Sequence, residues 1–167
     1  MKITASLSIS FLLALLGVTA CGKSQDTSVN VTQKAASNVF HSTTGRWYTK
    51  EQIARGEILY QANCASCHKA DASGTVDWKR LDAKGKLPPP PLNGTAHAWH
   101  HPLSVLRRTV RLGGVPLGGT MPGFAGKLDD REIDDILAWV QSHWSDEIYS
   151  IWIERDTQAN RSLRKIN

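Results

Sequence analysis

Two thiols and an imidazole lie close together at Cys64, Cys67 and His68, in the order Cys-Ala-Ser-Cys-His. A thiolate can act as a nucleophile, a disulfide partner or a ligand for soft metals, and a neutral imidazole can ligate iron, copper or zinc. Three kinds of site therefore fit these residue types: a redox-active dithiol, part of a zinc site, and an attachment site for haem.

The spacing of this motif is typical of covalent haem attachment. Two thiols separated by two residues can add to the two vinyl groups along one edge of a haem, and the next imidazole then lies beneath the iron. A thioredoxin-like dithiol is an alternative, although no βαβ pattern surrounds the motif. A zinc site is another and would need two more ligands. The sequence therefore predicts one covalently bound haem c, with His68 as the proximal iron ligand.

A candidate for the second axial ligand is Met121, the one methionine besides the initiator, in the run Gly-Gly-Thr-Met-Pro-Gly-Phe. The glycines allow the backbone to approach a haem face, and Pro122 stiffens the segment. A thioether ligand favours ferrous iron and raises the reduction potential relative to two histidine ligands. A gap-filling core methionine is the alternative interpretation. We expect His68 and Met121 to be the axial ligands.

Three histidines, His97, His100 and His101, compete with Met121 for this assignment. On a helix, His97 and His101 would share a face and could ligate the iron, copper or another transition metal. However, Pro102 disfavours helix in the residue before it. We therefore expect His100 and His101 to lie in a loop at the start of a helix and none of the three histidines to ligate a metal, with a copper-handling or haem-sensing role as the alternative.

Three amphipathic stretches are predicted to position these groups. The first helix begins near Thr49 and runs into Cys64. A middle helix covers residues 102–112, and its arginines are expected on a solvated face or, alternatively, in partner docking. The last helix begins at Asp129, which forms a capping-box pattern with Glu132.

From about Trp47 to Trp144 the chain resembles a class I monohaem cytochrome c. The resemblance rests on the Cys-x-x-Cys-His motif, the Met-Pro loop and a Pro-x-Leu-x-Gly stretch at Pro90, Leu92 and Gly94. It implies an all-α fold in which the N- and C-terminal helices cross around one covalently bound haem c.

The same resemblance implies two supporting contacts. Gly56 on the first helix would allow close approach of Trp139 on the last. The carbonyl of Pro90 would accept a hydrogen bond from Nδ1 of His68, which orients the imidazole and strengthens it as a ligand.

The remaining cysteine, Cys21, has a different setting. Lys2 and a long uncharged stretch precede it, as is typical of an export signal. The run Val-Thr-Ala-Cys that ends at Cys21 resembles the lipobox of bacterial lipoproteins, which implies lipidation of this cysteine and cleavage before it. By the same resemblance, Gly22 favours the outer membrane. The alternatives are an uncleaved transmembrane helix and ordinary signal cleavage.

These patterns predict four segments. They are a lipoprotein signal peptide (1–20), a polar, disordered tether (21–45), a cytochrome c domain (46–144) and a C-terminal amphipathic extension (145–167). The extension is expected to be short and to pack back on the domain, with a docking patch formed by Tyr149 and Trp152 as the alternative. The lipid anchor would hold the domain at a membrane facing the periplasm or at the cell surface.

Composition excludes other function classes. The chain has 167 residues and a net charge of +5, and without Lys2 and the rest of the signal the charge is +4. No block of basic residues suggests nucleic-acid binding, and three cysteines are too few for a disulfide framework. The single Cys-x-x-Cys-His argues against a dihaem peroxidase. The predicted function is electron transfer between a donor and an acceptor protein by a carrier that is not an enzyme; a haem subunit of a larger oxidoreductase is the alternative.

Overall fold

The computed structural model describes residues 45–165 of the chain. The predicted signal peptide, Cys21 and all of the predicted tether except Gly45 lie outside these residues. Five α-helices are present in the described part: α1 (Lys50–Asn63), α2 (Ala65–His68), α3 (Leu103–Leu112), α4 (Asp130–Ser142) and α5 (Asp146–Arg164). Short 3₁₀ helices cover His97–His100 and Val115–Leu117. The described residues form no strand, and a single bridge joins Leu87 to Gly119, so the predicted all-α fold is confirmed.

The starts of α1 and α4 are set by capping boxes. Before α1, the Thr49 hydroxyl accepts a hydrogen bond from the amide of Gln52, and the Gln52 side chain accepts one from the amide of Thr49. Before α4, Asp129 and Glu132 make the corresponding pair of hydrogen bonds. Each box satisfies amides that have no partner inside the helix, and the second box is the one that the sequence predicts.

Helices α1 and α4 cross in close contact at Gly56. A Cβ atom at this position would overlap the backbone carbonyl oxygen of Asp135 and would lie 3.0 Å from Cβ of Trp139. One residue earlier, Arg55 forms two hydrogen bonds with the buried Asp135 carboxylate, at 2.6 and 3.0 Å. The Tyr60 and Trp139 rings pack with their centroids 4.1 Å apart. This contact fixes α1, which leads directly into the first thiol of the motif.

Helix α3 is joined to α4 by ion pairs that lie on the solvated arginine face predicted from the sequence. Arg107 binds the carboxylate of Asp134 through two hydrogen bonds, and Arg111 pairs with Asp130 at 2.5 Å. Arg108 is exposed as well, and the side chains of Arg107 and Arg111 are 41% and 48% exposed despite their ion pairs. The pairing of Arg107 with Asp134 joins residues 27 positions apart and has no local signature in the sequence, so it adds to the prediction without contradicting it.

The C-terminal extension packs back on the domain. Trp152 is 0% exposed and Tyr149 is 8% exposed, so their side chains are core residues and do not form a docking patch. Helix α5 is also longer than the expected short segment, since it continues to Arg164. Of the helices in residues 45–165, none is long and apolar enough to cross a membrane.

Candidate haem site

The two thiols and the imidazole of the motif are brought together by one helical turn. Helix α1 ends at Asn63, and the amide of His68 donates a hydrogen bond to the carbonyl of Cys64 at 2.9 Å. Positions i, i+3 and i+4 share a face of such a turn, so Cys64, Cys67 and His68 are neighbours. Cys64 is half-buried, Cys67 is exposed, and neither forms a disulfide.

His68 is held in one tautomer. Its Nδ1 atom lies 2.9 Å from the carbonyl oxygen of Pro90. Because a carbonyl oxygen can only accept, Nδ1 carries the proton and Nε2 keeps its lone pair. Burial lowers the pKa of His68, against the opposing effect of the Pro90 hydrogen bond, so the imidazole is neutral at pH 7. A neutral, oriented imidazole with a free lone pair is the form that ligates a metal.

The Pro90 carbonyl is itself fixed by the loop that follows the motif. The amide of Leu92 donates to the carbonyl of Ala72 at 2.8 Å, and the amide of Thr75 donates to the carbonyl of Pro89 at 2.9 Å. Gly74 lies in the same loop and has a φ of +60°. A Cβ atom at this position would lie 2.6 Å from the Pro90 carbonyl oxygen. Only glycine fits this position.

Directly after His68, the backbone of Lys69 adopts φ 64° and ψ 159°. This region of the backbone map is populated almost only by glycine. The hydroxyl of Tyr60 donates to the Lys69 carbonyl at 3.0 Å and the amide of Ala72 donates to the same oxygen at 3.1 Å. Sequence reasoning missed both Gly74 and Lys69, since the loop has no periodicity and lysine carries no turn signal.

Met121 is held by the C-terminal end of α3. Its carbonyl accepts a hydrogen bond from the amide of Gly114 at 2.9 Å, and the amide of Phe124 donates to the carbonyl of Val110 at 3.0 Å. A Cβ atom on Gly123 would lie 2.8 Å from the carbonyl oxygen of Arg111, so the loop lies directly against the helix. The Met121 side chain is half-buried and packs against the same apolar core as Cys64.

Of the competing histidines, His97 and His100 lie in a 3₁₀ helix before α3, and His101 follows it in an extended conformation. The His97 ring stacks on Trp78 at 4.9 Å, and the His100 ring stacks on Trp99 at 3.8 Å. Within residues 45–165, no group of three or more His, Cys, Asp or Glu side chains is placed to hold a metal ion.

The chemistry of the donors fits haem c better than zinc or a reactive dithiol. Structural zinc needs four ligands, and the described part of the chain offers no such group. Burial raises the pKa of the Cys64 thiol to about 11, with a further increase from Cys67 and a smaller opposing effect of Lys127. This thiol is therefore protonated at pH 7, unlike the acidic thiols of dithiol redox motifs. Two thiols that form no disulfide and an oriented imidazole fit covalent attachment of haem c, and the Met121 thioether is a ligand type that such haems use.

Comparison with known proteins agrees with this fit. The family model described as "Cytochrome C oxidase, cbb3-type, subunit III" matches residues 51–140. The chain is 36% identical over 92 residues to a thiosulfate dehydrogenase of Allochromatium vinosum, covering 53% of this chain and 30% of that protein. It is 28% identical over 126 residues to the cbb3-type cytochrome c oxidase subunit CcoP of Azospirillum sp., covering 75% and 40%. It is 26% identical over 93 residues to a cytochrome c6 of Synechocystis sp., covering 53% and 62%.

The chain spans less than two thirds of the length of each of these relatives. The family match covers more than half of the chain and includes the Cys-x-x-Cys-His turn, Pro90 and Met121. The all-α fold, the oriented imidazole and this match lead to one conclusion. The chain belongs to the cbb3-type cytochrome c oxidase subunit III family of c-type cytochromes, and it binds haem c covalently for electron transfer.

Proposed function

We propose that this chain is an exported, membrane-anchored carrier of single electrons that holds one haem c. Cys64 and Cys67 form the thioether bonds, and His68 and Met121 are the axial ligands. The bound haem supplies a one-electron Fe(III)/Fe(II) couple. The observation that carries this proposal is the 2.9 Å contact between Nδ1 of His68 and the Pro90 carbonyl, which leaves Nε2 as the donor atom.

The residues of the chain have distinct tasks in this proposal. Pro90 keeps the His68 ring in place and increases its donor strength, because a hydrogen bond from Nδ1–H adds electron density to the ring. Burial of His68, which is 7% exposed, keeps water and protons away from the ligating nitrogen. Met121 lies on a glycine-rich loop that is fixed to α3, so its thioether needs little reorganisation when the oxidation state changes.

Electron exchange with partner proteins is proposed at the exposed side of the motif, at Cys67. Two lysines lie close to this turn: Lys69 follows His68 directly, and the charge of Lys127 acts on the Cys64 thiol. Both lysines are exposed. Positive charge at this place would accelerate encounter with acidic redox proteins in a salt-dependent way.

Anchoring through a lipid on Cys21 is proposed from the sequence pattern at residues 18–21. If it is correct, the wild-type protein fractionates with membranes and is released by detergent, whereas Cys21→Ala is found in the soluble periplasmic fraction. Membrane retention of the Cys21→Ala protein would favour an uncleaved hydrophobic segment instead.

A second candidate function is a haem-bearing part of a larger oxidoreductase. Two relatives are named as an enzyme and as an oxidase subunit, and the chain spans only 30% and 40% of them. Native electrophoresis of detergent-solubilised membranes with haem staining distinguishes the two. A free carrier migrates near its own mass, and a subunit migrates with a larger complex.

The direct test of the proposal uses the full chain matured with haem. Mass spectrometry is expected to show the mass of one haem added covalently, and this addition should be lost in the Cys64→Ala/Cys67→Ala variant. The reduced protein is expected to be reoxidised by acceptors in its own membranes. A second haem mass, or a reduced protein that no acceptor in those membranes reoxidises, would overturn the single-haem carrier.

A further inference from the structure

Helix α5 lies outside the part of the chain that matches the family model, which ends at residue 140. It nevertheless contacts the segment on which Met121 depends. We propose that the C-terminal helix positions the Met121 loop, with Asp156 as the positioning residue. This inference rests on the proposed ligation by Met121.

The first step concerns the start of α3. The residue before this helix is Pro102, whose side chain makes no capping hydrogen bond. The first amide of a helix has no partner within the helix, so the amide of Leu103 needs an acceptor from elsewhere. Asp156 provides it: its Oδ1 accepts from the Leu103 amide at 2.7 Å, across 53 residues of sequence.

The second step is that α5 holds both sides of Pro102. The indole Nε1 of Trp152 donates to the carbonyl of His101 at 2.9 Å. Trp152 and Asp156 are four residues apart and therefore lie on one face of α5. Trp152 is fully buried and Asp156 is 9% exposed. Asn160 donates to the other oxygen of Asp156 at 2.9 Å, which fixes the carboxylate.

The third step connects the start of α3 to its end. The helix has ten residues, Leu103–Leu112, and a negative charge at its N-terminus stabilises it through the helix dipole. The Met121 loop is attached to its last turn through Phe124, whose amide bonds to Val110, and through Ala125, whose amide bonds to Arg111. A Cβ atom on Gly113 would lie 2.6 Å from the Met121 carbonyl oxygen, so even a small change in α3 would displace this loop.

The test compares two midpoints in the haem-loaded full chain. One is the temperature at which the ferric protein loses the sulfur-to-iron charge-transfer band, and the other is the temperature of global unfolding by circular dichroism. The measured quantity is the gap between these two midpoints. In Asp156→Ala the band should disappear earlier, so that the gap is about 4 °C or more wider than in wild type. Asp156→Asn keeps an acceptor oxygen but loses the charge, so its gap should be smaller than that of Asp156→Ala and still wider than that of wild type. Glu154→Ala, an exposed position on the same helix, is the matched control and should resemble wild type.

Three results would contradict this inference. If the gap between the two midpoints is the same in Asp156→Ala and Glu154→Ala, the carboxylate has a general structural role and Met121 ligation still stands. If the wild-type protein shows no charge-transfer band, Met121 is not a ligand and the inference is overturned together with that assignment. Should Asp156→Ala fail to fold, Asp156→Asn decides. Its amide oxygen is a weaker acceptor, so a gap wider than that of Glu154→Ala supports the inference and an equal gap overturns it.

Discussion

Replacement of Gly56 by alanine tests the helix crossing that positions the turn with Cys64, Cys67 and His68. Two effects of opposite sign act at this position. Alanine has the higher helix propensity, which would stabilise α1 by about 1 kcal/mol. Against this, the new Cβ atom would overlap the Asp135 carbonyl oxygen, and it would lie 2.5 Å from the carbonyl carbon and 3.0 Å from Cβ of Trp139.

The steric effect is expected to dominate because the opposing atoms belong to the backbone and cannot rotate away. The helices must separate, which weakens the Tyr60–Trp139 packing and the Arg55–Asp135 ion pair. Overpacking of this kind costs about 3 kcal/mol at the upper end of its usual range. After subtraction of the propensity gain, Gly56→Ala should destabilise the domain by about 2 kcal/mol, or about 8 °C in Tm.

The assay is thermal and urea unfolding of the haem-loaded protein, followed by circular dichroism. Gly126→Ala is the matched control, because no atom lies within 4 Å of a Cβ built there and its φ is not positive. The control should be neutral or slightly stabilising. If Gly56→Ala is as stable as Gly126→Ala, the close crossing of α1 and α4 is wrong.

Three further predictions concern two residues of the loop after the Cys-x-x-Cys-His motif, Lys69 and Gly74, and the histidines His97 and His101. Lys69→Gly should raise Tm by about 4 °C, because it relieves about 1 kcal/mol of strain at φ 64° and ψ 159°. Gly74→Ala should raise the reduction potential by about 40 mV, since displacement of the Pro90 carbonyl weakens the hydrogen bond to His68, the proposed iron ligand, and a bond that favours the ferric over the ferrous state by about 1 kcal/mol corresponds to this shift. The pKa values of His97 and His101 are lowered, first by burial and then by repulsion from neighbouring histidines. The imidazoles of the unfolded chain therefore bind protons at a higher pH than those of the folded protein. The urea midpoint should be highest above about pH 6.5 and should fall as the pH decreases below it.

Each of these predictions has its own control. Lys69→Ala should gain no stability, since alanine meets the same backbone cost, and a gain equal to that of glycine would show that strain is not the cause. For Gly74→Ala, an unchanged potential measured by optical redox titration would contradict the positioning role of the loop. The double variant His97→Gln/His101→Gln should have a flatter dependence of the urea midpoint on pH, and an unaltered dependence would exclude these two groups.

Local signals in the sequence are sufficient to predict the helix starts and to single out the short segment that carries Cys64, Cys67 and His68. Capping residues such as Asp129 and Glu132 act within one helical turn, and the two cysteines and the histidine act within five residues, so a single sequence shows both patterns. The resemblance to class I cytochromes adds the crossing at Gly56, which local propensity would not suggest because glycine disfavours helix.

Contacts between distant segments could not be predicted in this way. The pairing of Arg107 with Asp134 and the capping of Leu103 by Asp156 join residues 27 and 53 positions apart. An exposed arginine has the same sequence pattern whether or not it is paired, so the sequence predicts the solvated face and not the ion pair. The strained backbone of Lys69 is likewise set by its neighbours, through the Tyr60 hydroxyl, and not by its own side chain.

The central claim is that one haem c is ligated by His68 and Met121 and exchanges single electrons. Optical redox titration of the haem-loaded full chain tests it most directly. We predict a single, reversible one-electron transition, a ferric spectrum with a sulfur-to-iron charge-transfer band, and loss of that band with a lower potential in Met121→His. A wild-type protein without the band, with a potential that Met121→His leaves unchanged, would contradict the claim.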